Sequence, residues 1–301
     1  MIKFSFIIPI FNERKNIKNC LESISSSHFK NFEVIIIDDF STDGSYSYIK
    51  NLYSKIKNIK IYKNIKKGKV NAINYGVNKI TGDIVKIVDG DDRIDELFFL
   101  DNIDIKRDEA RIDKTYININ DKIVKFSPPK NLINKKSSEV FKNYISIPRH
   151  MWTFHRSLLK YIFPMPELLP YEDVWICFHL KKFAKEIMVN PNINYHYIQH
   201  GNQVYGGILN FNEELNRFRA ERNISLINYF LNNKTLLDLN KKDLLNNKKY
   251  YNLFKFDNIF NKDFFELIKD MKFTLIMKYI LLTRFTKIYR YLTILKWKLF
   301  H

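Results

Sequence analysis

Ile84-Val-Lys-Ile-Val-Asp-Gly-Asp-Asp-Arg-Ile-Asp95 decides how this sequence is read. Four apolar residues interrupted by one lysine run into Asp89, Asp91 and Asp92. The apolar part predicts a buried strand. Gly90 ends it, because glycine weakens a strand and permits backbone angles that other residues resist. Asp89 and Asp91 then stand at the strand's carboxyl end, and carboxylates held so close repel unless a cation or a proton joins them. Oxygen ligands suit Mg²⁺ or Mn²⁺, which take one or two carboxylates and fill their shells with water and substrate phosphates. The competing reading is a solvated acidic loop in which Asp92 or Asp95 caps the next helix.

Working outward, Phe4–Ile10 reads as a strand, and Ile17, Leu21 and Ile24 lie at helical spacing within Arg14–Ser26. Glu33–Ile37 is a second buried strand, closed by Asp38-Asp39. Ser41-Thr-Asp-Gly-Ser45 is turn chemistry, with Asp43 or Ser45 able to cap a helix. Ile59–Tyr62 is a third strand, and Val70, Ile73, Val77 and Ile80 form a helical stripe over Lys69–Ile80. Strand and helix therefore alternate up to residue 95, which predicts a parallel α/β sheet. Ligands of such sheets sit beyond the carboxyl ends of the strands. Three of the four strand ends carry polar residues: Asn12-Glu13, Asp38-Asp39 and Asp89–Asp92. Beyond Thr115 a hairpin is predicted from Tyr116–Ile119 and Ile123–Phe126 around Asn120-Asp121. A helix is predicted over Ser138–Ile145, a strand over Trp152–His155, and a helix over Tyr171–Leu180. Strands follow at Ile187–Val189 and Ile193–Ile198, and the pattern is helical from about Asn210.

Composition bounds the function. The 301 residues are 46% hydrophobic, with 25 Phe and 18 Tyr, enough for a substantial core and against disorder. A net charge of +18 calls for an anionic partner: nucleic acid, anionic lipid or a phosphorylated substrate. The basic residues are dispersed and no nucleic-acid-binding motif is present, so nucleic acid is the least favoured of these. Two distant cysteines, Cys20 and Cys177, predict neither a disulfide framework nor a zinc site. Met1–Ile10 runs at once into Asn12-Glu-Arg-Lys, which predicts no secretory signal. No apolar run approaches a membrane span.

Six motifs in order carry a resemblance: Phe6-Ile-Ile-Pro-Ile-Phe-Asn-Glu13, Glu33-Val-Ile-Ile-Ile-Asp-Asp-Phe-Ser-Thr-Asp-Gly-Ser45, Lys67-Gly-Lys-Val-Asn-Ala-Ile-Asn-Tyr-Gly76, Asp89-Gly-Asp-Asp92, Glu172-Asp173 and Tyr195–Gln203. Together they resemble the family 2 glycosyltransferases, which are inverting, metal-dependent nucleotide-sugar transferases. The resemblance implies a GT-A fold, a Rossmann-like α/β mixed sheet with flanking helices, over residues 1–207. A nucleotide-binding half (1–100) would precede an acceptor half (101–207), and 208–301 would form a helical, basic C-terminal region. It also implies a UDP-sugar donor and Mn²⁺ or Mg²⁺. Asp39, with Asp38 beside it, would contact the base or ribose, and Pro9, Phe11 and Glu13 would line the same pocket. Lys69 would lie near the nucleotide, Asp89 would reach the ribose or a metal-bound water, Asp91 would ligate the metal, and Asp173 of the Glu172-Asp173 pair would be the base. Two positions depart from the pattern: Gln203 stands where many relatives have serine, and Phe40 replaces the glycine usual after the paired aspartates.

Each role has a plainer counterpart. Asp38-Asp39 also suits a solvated loop, and Glu172-Asp173 a helix N-terminal pair favoured by the dipole. Lys66, Lys67 and Lys69 at a helix start oppose that dipole, which an anionic ligand would offset. His200 is either a metal ligand or an exposed loop histidine, while His150, His155, His179 and His196 are expected to be structural. Tyr171 and Trp175 would desolvate the acidic pair and raise a carboxyl toward neutrality. The acceptor implied is a glycan or glycolipid in bacterial surface-polysaccharide or lipooligosaccharide synthesis. A polyprenyl-phosphate transferase and a non-catalytic nucleotide-sugar binder are the alternatives. Residues 271–301 hold seven Lys/Arg and no acid. At about 100° per residue, all but Lys278 and Lys296 fall within about a 120° arc. That pattern predicts an interfacial helix attached peripherally to the cytoplasmic face of an anionic membrane, against the alternative of a helical pair packed on the catalytic domain with solvated lysines.

Overall fold

The computed structural model describes residues 2–53, 55–119, 122–128, 133, 137, 146–167, 169, 172–198, 212–233, 241–255, 262–269, 271 and 273–300. The predicted helix over Ser138–Ile145, Tyr171, His200 and Gln203 lie outside these residues. The chain divides into two units: Met1–Ser137 with Ser146–Ile198, and Ser138–Ile145 with Gln199–His301.

The first unit is built on one mixed sheet. Its parallel half holds β3 (Ile59–Lys63), β2 (Phe32–Asp38), β1 (Phe4–Ile10) and β4 (Ile84–Ile87), in that order. β1 is central because every residue in it is buried, so it packs on both faces. On one face Phe4 meets Phe29, Phe98 and Phe99 at ring distances of 5.1, 5.8 and 5.1 Å. On the other, Ile7 faces α3 (Lys69–Val77) so closely that a Cβ at Gly76 would lie 2.6 Å from Ile7 Cγ2. The helices α1 (Ile17–Ser25) and α2 (Ser45–Tyr53) complete the alternation read from the sequence.

Beyond β4 the sheet becomes mixed. The later elements are β5 (Arg93–Ile94), α4 (Phe98–Asn102), β6 (Glu109–Ile119), β7 (Lys122–Phe126), β8 (Trp152–His155), α5 (Leu159–Ile162), α6 (Asp173–Phe183) and β9 (Glu186–Ile198). β8 runs antiparallel to β4 and β6, β9 parallel to β6, and β5 antiparallel to β9. The hairpin expected around Asn120-Asp121 is the β6–β7 pair. The two strands expected near Ile187 and Ile193 are one strand. Pro191, which has no N–H to donate, sits where its register against β6 shifts.

Two buried polar knots fasten these strands. Lys86, the lysine inside the apolar run, is fully buried and ion-paired to Asp113. Its ammonium also donates to the His150 carbonyl and lies 4.9 Å from the Tyr195 ring. Asp113 accepts further bonds from Thr153 Oγ1 (2.7 Å) and Asn190 Nδ2 (2.6 Å), so the pair joins β4, β6, β8 and β9. Such a pair survives burial only when its remaining hydrogen-bonding capacity is filled. At the opposite end of β1 and β2, Glu33 accepts from Ser5 Oγ (2.7 Å), Lys3 Nζ (3.0 Å) and the Gly82 amide (3.1 Å).

The second unit is helical: α7 (Glu213–Asn232), α8 (Lys241–Asn252), α9 (Lys262–Ile268), α10 (Phe273–Thr283) and α11 (Thr286–Phe300). Asn212 caps α7 by accepting from the Leu215 amide at 2.7 Å. Ala220, Tyr250, Leu253, Phe254, Phe264, Tyr279 and Leu282 form its core. Tyr279 is buried there because its hydroxyl donates to the Leu253 carbonyl at 2.9 Å.

The Glu33 knot generates a pH prediction. Burial alone would raise this carboxyl, but hydrogen bonds from Ser5, Thr81 and Lys3 outweigh it and lower the pKa from 4.5 to about 2. The stabilisation is therefore present above pH 4.5 and lost as pH falls through about 2. Glu33→Gln is expected to cost up to about 3 kcal/mol at neutral pH. Urea unfolding across a pH series should show the gap to wild type closing as the solution is acidified; a constant gap would refute the electrostatic origin.

Candidate active site

The carboxyl ends of β1, β2 and β4 carry the polar residues singled out from the sequence. The β1 and β2 loops are laced together. Asn12 Oδ1 accepts from the amides of Thr42 (2.8 Å) and Asp43 (3.3 Å), and the Asn12, Glu13 and Arg14 amides donate to Ser41, Ser45 and Asp43. Asp43 Oδ1 accepts from the Ser45 amide at 2.9 Å at the start of α2. Both oxygens of Asp39 accept from the Gly68 amide (2.8 and 3.0 Å), and Oδ1 also accepts from Asn64 Nδ2 (2.8 Å). Asp39 thus fixes the loop that delivers Lys69. Gly68 has φ 122°, a conformation that only glycine adopts without strain. Asp38 is buried; Oδ2 accepts from the Ser41 amide, and Oδ1 has no hydrogen-bond partner among the described residues. Pro9 is buried in β1, Phe11 is exposed with Lys67 Nζ 5.9 Å from its ring centroid, and Glu13 accepts from Asn16 Nδ2.

Gly90 has a different task from the one expected. It has no left-handed backbone; what it supplies is space, since a Cβ there would meet Ile10 Cγ2 at 2.9 Å and Glu13 Cγ at 3.2 Å. The Asp89–Asp92 turn therefore lies against the end of β1. From the other side it is held by β9, where Tyr195 Oη donates to Asp92 (2.7 Å) and the Ile198 amide to the same carboxylate (2.8 Å). Asp92 is a buried acceptor in this turn, not a helix cap. Asp95 is not a helix cap either: it accepts from the Leu97 amide at 3.1 Å in the turn ahead of α4, whose N-cap residue is Leu97 with no side-chain cap.

The residue that organises the site is Arg149, which sequence reasoning passed over. It follows Pro148 in a single 3₁₀ turn before β8 and is buried. Its Nη2 pairs with Asp89 Oδ2, Nε donates to Glu172 Oε1 (3.0 Å), and Nη1 donates to the Ile87 carbonyl (3.0 Å). Its backbone amide donates to Asp173 Oδ1 at 2.6 Å. Lys69, half-exposed at the first position of α3, closes the circuit on Asp89 Oδ1 (2.8 Å) and Glu172 Oε1 (3.4 Å). The unfavourable cation at the helix start is thus offset within the chain by two carboxylates.

This network separates the acids electrostatically. Burial would raise Asp89, but Arg149 and Lys69 hold its carboxyl well below the usual range. Glu172 is likewise lowered, because Lys69 and Arg149 outweigh its burial. Asp173 is raised, first by burial and then by the adjacent Glu172 charge. Two neighbouring carboxyls whose environments push them apart are the arrangement in which one stays ionised and the other is tuned to exchange a proton. Trp175 is buried beside them with its indole N–H on the Ile162 carbonyl at 2.8 Å. Of the histidines expected to be structural, His150 stacks on Tyr195 and Tyr197, and burial followed by Lys86 and Arg149 lowers it to about 3. His155 hydrogen-bonds Ser157, His179 packs on Trp175, and His196 pairs with Asp95.

A divalent cation fits the remaining acids. Burial, then the Asp91 and Asp89 charges, push the Asp92 carboxyl well above its usual range, and its oxygens already accept from Tyr195 and Ile198, which makes Asp91 the better candidate of the two for a cation. Asp91 is half-buried at the mouth of this turn. No group of three metal-ligating side chains occurs among the described residues. A site completed by water and diphosphate oxygens needs only one or two carboxylates. Asp91 suits that role better than Asp89, both of whose oxygens are already ion-paired.

Comparison with known proteins agrees with this architecture. The profile described as "Glycosyl transferase family 2" matches residues 5–163. A Methanococcus voltae protein named as a dolichyl N-acetyl-α-D-glucosaminyl phosphate 3-β-D-2,3-diacetamido-2,3-dideoxy-β-D-glucuronosyltransferase is 37% identical over 116 residues, 36% of each chain. The GalNAc(5)-diNAcBac-PP-undecaprenol β-1,3-glucosyltransferase of Campylobacter jejuni is 33% identical over 96 residues, 31% of each. The matched stretch thus spans about a third of these relatives. Among solved structures, S. aureus TarS 1–349 in complex with UDP-GlcNAc superposes with a TM-score of 0.57 at 20% identity, covering 93% of this chain and 79% of that one. The Pyrobaculum calidifontis mannosyltransferase PcManGT, with GDP-Man and Mn²⁺, gives 0.59 at 13% identity, over 96% and 83%. At these identities the two structures establish the fold.

The acid pair can be tested without any substrate. Carboxyl-carbon NMR titration should place Asp173 above its ordinary 3.8, and Glu172→Gln should lower it part of the way back by removing the like charge. An unchanged value in Glu172→Gln would leave burial as the whole cause.

Proposed function

The chain belongs to glycosyl transferase family 2, and from that premise we propose that it moves a sugar from a nucleoside diphosphate donor to a hydroxyl of a lipid-linked or polysaccharide glycan, with inversion. The observation that carries this reading is the Arg149 clamp, which ties the Asp89 turn to the Glu172-Asp173 pair. In this mechanism the acceptor hydroxyl gives its proton to Asp173 as its oxygen attacks the anomeric carbon. The bond from that carbon to the diphosphate breaks on the opposite face, so one displacement inverts the centre. Glu172 stays ionised against Arg149 and Lys69 and holds both cations in place. Lys69, half-exposed, presents positive charge toward the departing diphosphate. Mn²⁺ or Mg²⁺ held by Asp91, with His200 as a candidate further ligand, would supply charge neutralisation on that leaving group. Asp38, Asp39, Pro9, Phe11 and Glu13 would surround the nucleoside.

UDP is the proposed nucleotide, supported by the UDP-GlcNAc bound to S. aureus TarS, with GDP the alternative offered by PcManGT. The names of the M. voltae and C. jejuni relatives, which specify a dolichyl phosphate and an undecaprenol diphosphate glycan, support a lipid-linked acceptor in surface-glycan assembly. We place the chain peripherally on the anionic, cytoplasmic face of the membrane that carries such acceptors. No helix among the described residues is long and apolar enough to cross a membrane. On α11, however, Ile288, Tyr291, Leu292 and Leu295 are exposed at helical spacing, with Phe285 just ahead of them. Arg284, Lys287 and Arg290, also exposed, flank this stripe. Exposed apolar residues beside cations suit the headgroup boundary of an anionic bilayer.

Two variants separate binding from chemistry. Asp91→Asn should remove most of the difference in UDP affinity between Mn²⁺ and EDTA, read by calorimetry. Asp173→Asn should keep that affinity and lose roughly 10²–10⁴-fold in transfer rate. Affinity equal with and without metal, or full transfer by Asp173→Asn, would defeat the assignment.

For the membrane, Ile288→Glu with Leu292→Glu changes only exposed positions, so the helical core stays intact. Wild type should sediment with anionic but not neutral liposomes, less so in high salt, and the double variant should remain in the supernatant. Equal behaviour of both proteins would overturn this placement.

A further inference from the structure

We propose that the ring of Phe40 is a wall of the nucleoside pocket and sets how tightly the base of the donor is held; this rests on the reading of the chain as a nucleotide-sugar transferase. Phe40 directly follows Asp38-Asp39 and has φ 61°, in the left-handed region. Aromatic residues avoid that conformation, which crowds Cβ against the backbone. The turn itself is fixed by other groups, since the Ser41 amide donates to Asp38 Oδ2 and Ser41 Oγ accepts from the Asn12 amide. Glycine would satisfy the same turn without strain, so the aromatic side chain is not there for the backbone. Nor does it serve the core, because Phe40 is 50% exposed. A strained residue that helps neither backbone nor core is best explained by a ligand.

The surroundings indicate which ligand. β1 and β2 are parallel neighbours with Ile10 opposite Asp38, and the Asp39 amide donates to the Ile10 carbonyl at 2.8 Å. Phe11 and Phe40 therefore leave the ends of adjacent strands, and Phe11 is 49% exposed. Near them lies Asp38, 4% exposed, with Oδ1 lacking a hydrogen-bond partner among the described residues. A buried acceptor without a donor is costly, and a ligand N–H is one group that would satisfy it. Flat apolar rings together with an unmatched carboxylate oxygen suit a nucleobase that offers a π-face and a ring N–H.

The test uses the full chain with Mn²⁺. UDP, GDP and inorganic diphosphate are titrated by calorimetry into wild type, Phe40→Gly and Phe40→Tyr, and thermal unfolding is followed in parallel. Loss of a stacking contact should weaken UDP about tenfold in Phe40→Gly. Inorganic diphosphate, which has no base, should bind both proteins equally. Phe40→Gly should unfold no earlier than wild type, since it relieves the turn, and Phe40→Tyr should keep UDP affinity. Unchanged UDP affinity in Phe40→Gly would overturn the inference while leaving the enzyme reading intact, as would equal losses for UDP and diphosphate. A wild type that binds diphosphate but neither nucleotide would overturn both.

Discussion

The site depends on one buried guanidinium. Arg149 reaches Asp89 at the end of β4, Glu172 at the start of α6 and the carbonyl of Ile87, while its own amide holds Asp173. A planar fork of fixed donors can serve several acceptors in defined directions, as a single ammonium cannot. Without it, Asp89 and Glu172 would bury two negative charges against Lys69 alone. Asp173 would lose the hydrogen bond that orients it. The consequence is chemical as well as structural. The same clamp that keeps Glu172 ionised leaves Asp173 beside a fixed negative charge, and that charge raises its proton affinity.

Elsewhere the fold uses buried charge to fix strand order. Lys86 occupies a position on β4 that an apolar residue would fill more cheaply, and its pair with Asp113 is fully buried. Removing one partner of such a pair typically costs about 3–5 kcal/mol, because the other is left uncompensated. The gain is directional: Asp113 draws hydrogen bonds from Thr153 and Asn190, so β4, β6, β8 and β9 are joined at one point. Asp101 does the same for α4, accepting from Asn192 and Asn194 of β9. These contacts hold the mixed half of the sheet where the Asp89–Asp92 turn needs it.

Backbone strain collects at the other strand ends. Asn12 and Phe40 both have left-handed backbones, and Gly68 has φ 122°. Asn12 tolerates this and uses its side chain to bind the neighbouring loop, and Gly68 has no Cβ to object. Phe40 has neither excuse. It is also the position where the sequence departs from its family's usual glycine, so the strain and the departure mark the same residue.

The parallel half of the sheet could be read along the chain, because strands buried on both faces leave short continuous apolar runs and amphipathic helices leave an apolar stripe at helical spacing. The same runs also showed where the acids of the site would stand, since Asp38, Asp39, Asp89 and Asp91 follow directly on such strands. β5 was not legible, being two residues long, and β9 read as two strands because Pro191 interrupts its pattern. The electrostatics emerge only when the elements pack. Arg149 lies 60 positions from Asp89 and 23 from Glu172, in a stretch with no periodic signal, and an isolated arginine after proline has no local signature. Lys86 was visible as an oddity in an apolar run, but its partner lay 27 residues away. Periodicity reports which face of an element is buried; it carries no information about which distant charges meet there. That pairing is set by the packing of whole elements, and it is what distinguishes Asp173 from the acids around it.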